Sequence, residues 1–96
     1  MDLGIKGKWA LVGGASKGLG LGCAQALAAE GVNLVMVARG AEALQAAAQA
    51  IRAAHPGVAA LPVAADITTP EGRAAAFGVA GGPGKAFDIV VTNAGG

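Results

Sequence analysis

The chain has 96 residues, a formal net charge of +1 and a composition that is 54% hydrophobic and 14% charged. That length holds about one domain, the apolar weight argues against disorder, and the near-neutral charge excludes a basic surface with nucleic acid as its main partner. A single cysteine, Cys23, excludes an internal disulfide and a cysteine-based metal centre, so a reducing cytoplasm is the expected compartment. The opening "MDLGIKGK" has no apolar core of a secretory signal. Lys17, Glu30, Arg39 and Arg52 interrupt the apolar stretches well short of the roughly 18 residues that a membrane helix needs, so no membrane partner is expected.

In chain order, "KWALVGG" has the short, continuous apolar character of a strand covered on both faces, with Trp9 at a core position. "GLGLGCAQALAAE", Gly18 to Glu30, reads as a well-covered helix stopped by Gly31, with Cys23 as a small packing residue. "VNLVMVA", Val32 to Ala38, is the second strand. Leu44, Ala47, Ala48 and Ile51 then share one helical face, and Glu42, Gln45, Gln49 and Arg52 the other. His55-Pro56-Gly57 ends that helix, with His55 as a surface or turn residue and no catalytic part.

"VAALPVAA", Val58 to Ala65, predicts a third strand, and Pro62 assigns it to a sheet edge because proline cannot donate to a ladder. A third helix begins near Thr69-Pro70-Glu71, which combine a capping hydroxyl, a first-turn proline and an acid near the positive helix end. Arg73 and Lys85 read as solvent-facing charges around the connector "GVAGGPGK". A fourth strand covers Ile89 to Thr92. The order β-α-β-α-β-α-β means an α/β fold with a parallel sheet and right-handed crossovers.

Between the first strand and first helix lies "GGASKGLG". A strand, a glycine turn and a helix N-terminus together form an anion site, because unpaired amides and the helix dipole face whatever sits there. Gly14, Gly18 and Gly20 space as G-x-x-x-G-x-G, not as the commoner G-x-G-x-x-G, and no Lys-Ser or Lys-Thr follows to make a Walker loop. Taken alone, the three glycines fit either a phosphate cradle or a packing turn. Asp66, taken alone, fits a strand-end or capping residue.

Together with "ADI" at Asp66 and "TNAGG" at the end of the chain, the glycine turn resembles the short-chain dehydrogenase/reductase family. That family carries T-G-x-x-x-G-x-G after its first strand, an Asp after the third and N-N-A-G after the fourth. The resemblance spans Gly7 to Gly96. It implies a Rossmann-type three-layer half-domain over residues 1–96, with strand order 3-2-1-4. It further implies a dinucleotide whose pyrophosphate lies over Gly14, Ser16, Lys17, Gly18, Leu19 and Gly20. Asp66 and Ile67 would flank the adenine, and Asn93, Ala94 and Gly95 would line the cofactor cleft. Gly13 and Thr92 depart from the family's Thr and first Asn, so a hydroxyl bridge between the two turns is expected to be lost or replaced, weakening the site without abolishing it.

Charge selects the cofactor. Where NAD enzymes place an acid at the end of the second strand, this chain has Ala38-Arg39-Gly40. Arg39 and Lys17 would attract a 2′-phosphate, so NADP(H) is expected over NAD(H). The family's catalytic residues include a tyrosine and a lysine, yet this chain has no tyrosine and Ser16 is its only serine. No catalytic or metal-ligating residue is therefore assigned within it. The resemblance implies an oxidoreductase acting on a small carbonyl or alcohol substrate, homo-oligomeric, with its catalytic half outside these 96 residues. The other readings are a non-catalytic dinucleotide-binding module and an inactive fragment. A half-sheet of this kind should leave much of its second face in water and the fourth strand as an open edge.

Overall fold

The computed structural model describes residues 7–16, 18–79, 82 and 87–91. Four parallel strands, β1 (Trp9–Gly13), β2 (Asn33–Ala38), β3 (Ala60–Ala64) and β4 (Ile89–Val91), form one sheet in the order β3-β2-β1-β4. Helices α1 (Gly18–Ala29), α2 (Ala41–Ala54) and α3 (Pro70–Phe77) connect them in turn. This is the α/β, Rossmann-type arrangement with the expected strand order. Its edges are β3, which carries Pro62, and β4, whose Val90 is 58% exposed.

The central strand β2 explains why the sheet holds. Leu34 and Met36 are buried under α1 and α2, while Val35 and Val37 are buried on the opposite face. Each such side chain stabilises by about 1.5–3 kcal/mol on full burial. The α2 pattern is as read from its spacing: Leu44, Ala47, Ala48 and Ile51 are buried. Glu42 in its first turn and Arg52 in its last complement the helix dipole.

Three expectations need correction. Helix α1 is not well covered, for only Gly20, Ala24 and Ala28 are buried and Leu19 is 75% exposed. The Ala and Gly run made the helix look apolar all round, but only a narrow stripe of small residues is fully buried, with Leu21 and Leu27 half-buried beside it. Trp9 is half-buried at the rim of the second face instead of lying in the core. The second face is open only in part: Leu11, Val35 and Val37 are buried beneath α3 residue Ala76 and a rim that includes Phe77 and Phe87, whereas Val90, in register with Leu11 on β4, is 58% exposed as expected of an open edge. Those two rings stand 6.0 Å apart and tilted by 43°, an aromatic pair at the rim.

The end of the sheet where the strands begin is fastened by side chains. Asn33 Oδ1 accepts from the Ala59 amide at 3.0 Å, and its Nδ2 donates to the Gly7 carbonyl at 3.3 Å. Asp88 Oδ2 accepts from the Trp9 amide at 3.1 Å, with Lys8 Nζ 3.9 Å from Oδ1. Arg52, on the helix face opposite Leu44 and Ile51, donates from Nη1 to the Ala60 carbonyl at 2.6 Å and ties α2 to β3.

Candidate cofactor-binding site

The strand registers bring three chain turns level at the opposite end of the sheet. Gly13 pairs with Val37 and Ala38 with Ala64, so the turns at Gly14, Arg39 and Asp66 leave neighbouring strands side by side. The order of these strands therefore assembles residues that are far apart in sequence.

The glycine turn is built by backbone conformation. Gly14 has φ of 63° and Gly18 has φ of 60°, both in the left-handed region that suits glycine. Between them, the buried Ala15 donates its amide to the Val37 carbonyl at 3.1 Å, which pins the turn to β2. Gly20, the third residue of α1, presses on the carbonyl of Gly14, and a Cβ there would overlap that oxygen. Among the described residues, a Cβ on Gly18 would meet nothing within 4 Å, so these leave the space over the helix start open. Helix α1 has no acid in its first turn, whereas α2 has Glu42 and α3 has Glu71. Amides at the helix start, an open cradle and the lack of a nearby carboxylate in that turn suit a pyrophosphate. Ser16 is half-buried in the turn, and Leu19 projects from the exposed side of the first helical turn.

Arg39 leaves the end of β2 exposed to solvent and lies close enough to Asp66 to act on its charge. Asp66 Oδ1 accepts two hydrogen bonds from Thr68, from the amide at 2.9 Å and from Oγ1 at 2.5 Å. The Thr68 hydroxyl first, then its amide, and then the Arg39 charge hold the Asp66 carboxyl below its ordinary value, while partial desolvation opposes them. The Asp66 carbonyl accepts from the Thr69 amide at 3.1 Å and from Thr69 Oγ1 at 2.9 Å. Thr69 in turn caps α3 by accepting the Gly72 amide at 2.9 Å. Ile67 is half-buried against the second-face cluster, and its carbonyl accepts from Arg73 Nη1 at 3.4 Å.

The structure thus sets Gly14, Ser16, Gly18, Leu19, Gly20, Arg39, Asp66 and Ile67 at one end of the sheet. Lys17, Thr92, Asn93, Ala94 and Gly95 lie outside the described residues. Thr68 and Gly72 were missed in reading the sequence. The signal for Thr68 was present, because an Asp followed two residues later by Thr is a common side-chain turn. Gly72 gave none, since its close approach to Asp66 arises only from the docking of α3.

Comparison with known proteins bears on this arrangement. The family model described as "short chain dehydrogenase" matches residues 8–96. An uncharacterized oxidoreductase of Mycobacterium tuberculosis is 42% identical over 89 residues, covering 93% of this chain and 33% of its own length. A very-long-chain 3-oxoacyl-CoA reductase of Coccidioides immitis is 42% identical over 67 residues, covering 70% of this chain and 19% of its own. Among solved structures, L-sorbose reductase from Gluconobacter frateurii, complexed with NADPH and L-sorbose, superposes with a TM-score of 0.89 at 44% identity. That match covers 100% of this chain and 36% of the reductase. The chain therefore spans about a third or less of the length of these curated relatives.

Proposed function

We propose that this chain, which belongs to the short chain dehydrogenase family, is the cofactor-binding part of an NADP(H)-dependent oxidoreductase acting on a carbonyl or alcohol substrate. The observation that carries the cofactor choice is Arg39, which directly follows β2 where an acid would select NAD. The glycine turn and the α1 start would hold the pyrophosphate, Arg39 with Lys17 the 2′-phosphate, and Asp66 with Ile67 the adenine. Asn93, Ala94 and Gly95 would line the cleft beside the nicotinamide. Bound, the nicotinamide supplies or takes up the hydride.

The chain's own residues hold and orient the cofactor. With no tyrosine in the sequence, we assign them no part in proton transfer to the substrate oxygen. NADPH bound to the L-sorbose reductase supports this reading. So does the fit of the open cradle over α1. We place the protein in the reducing cytoplasm as a homo-oligomer. Among the described residues, no helix is long and apolar enough to cross a membrane.

The second reading is a module that binds dinucleotide without turning it over. Titration of the intact gene product with NADPH and NADH, followed by a carbonyl-dependent NADPH oxidation assay, tests both. Tighter NADPH binding with turnover is the expected result. Binding without turnover selects the second reading, and equal or tighter NADH binding overturns the cofactor choice.

A further inference from the structure

The contact of Gly20 with the Gly14 carbonyl is built a second time. Gly72 is the third residue of α3, as Gly20 is of α1, and each follows its contact partner by six residues. A Cβ on Gly72 would overlap the carbonyl oxygen of Asp66 and come within 2.5 Å of its carbonyl carbon. The same helix-start packing therefore supports the glycine turn at β1 and the Asp66 turn at β3.

At Asp66 the side chain is held as firmly as the backbone. Both Thr68 donors converge on Oδ1, while Thr69 takes the backbone carbonyl. Among the described residues, no donor reaches Oδ2. A charged carboxylate with one oxygen filled and the other open, on a backbone braced by Gly72, is a prepared acceptor for one N–H group. Adenine offers such a group in its 6-amino substituent. Hypoxanthine has a carbonyl there, which the carboxylate would repel.

We propose that Thr68 and Gly72 are positioning residues that fix Asp66 as the acceptor for the adenine amine, so that the entry to α3 sets the base selectivity of the site. This rests on the dinucleotide reading above. It goes beyond that reading in assigning selectivity to two residues that never touch the nucleotide.

The test is a titration of the intact gene product with NADPH and with its deamino analogue, which carries hypoxanthine. A charge-assisted hydrogen bond predicts that the wild type prefers NADPH by roughly tenfold. Thr68→Val should collapse that preference by weakening NADPH alone, and Thr68→Ser should restore it. Gly72→Ala should also collapse it; if that variant does not fold, the Thr68 pair decides. A Thr68→Val protein that keeps the full preference, whatever its stability, overturns the inference and leaves the dinucleotide reading standing. Equal wild-type affinity for the two nucleotides does the same. Binding of neither nucleotide by the wild type overturns both.

Discussion

Gly20 rests on the carbonyl of Gly14 with no room for a side chain between them. This contact joins the start of α1 to the turn that we assign to the pyrophosphate, so a methyl group there must push one away from the other. Gly20→Ala is expected to destabilise by about 1–3 kcal/mol, the range for overpacking a buried site. Binding of NADPH should weaken with it. Gly22→Ala is the control, since its Cβ meets nothing within 4 Å. That substitution should stabilise by about 0.5–1 kcal/mol through helix propensity. Denaturant midpoints and NADPH titration check both.

Replacement of Arg39 by Ala should remove the preference for NADPH without weakening NADH. One charge-assisted hydrogen bond to the 2′-phosphate contributes about 1.5–3 kcal/mol, or roughly 10- to 150-fold in affinity. The measurement is the ratio of the two dissociation constants at a fixed salt concentration. An unchanged ratio would reassign the 2′-phosphate contact to other residues.

Thr69→Ala deletes the cap of α3 and the hydroxyl bond to Asp66 at once. The loss should be about 1 kcal/mol, typical of an N-cap, and Thr69→Ser should recover most of it. Thermal unfolding of the three proteins side by side provides the comparison.

Asp66 supplies a pH dependence with a defined sign. Its folded carboxyl is held below the ordinary value of 3.8, chiefly by Thr68. Its contribution to stability is therefore complete above that value and is lost as pH falls through the lowered folded pKa. Asp66→Asn keeps an oxygen for the Thr68 donors but cannot titrate. Its denaturation midpoint should fall less steeply with acid than that of the wild type, measured from neutrality into strongly acid solution.

Much of this fold was legible in the chain because its signals are local. The apolar β2 run, the α2 spacing and the Thr69-Pro70-Glu71 start each announce an element without reference to the rest. Strand order came from resemblance, not from periodicity. Exposure was harder to read, because Ala and Gly fit a buried or an open helix face equally well, which is why α1 was misjudged. The bond from Arg52 to Ala60 could not be read from helical spacing, because it depends on α2 and β3 lying side by side. Within the proposed site, Gly14, Arg39 and Asp66 were candidates from motif and charge. Gly72 could not, because a close approach between two backbones leaves no mark on either residue until both are placed.

Asn33 gives the sheet two unlike ends. Where the strands begin, its amide side chain bridges the chain near Gly7 to the approach to β3, and Asp88 bonds the start of β1 nearby. Where the strands finish, the three turns carry the nucleotide contacts that we propose. An engineer who wishes to alter cofactor choice can therefore rewrite Arg39 and its surroundings while the opposite end keeps the strands in register. The same separation makes substitutions at Asn33 a route to altered thermal tolerance with nucleotide preference left intact.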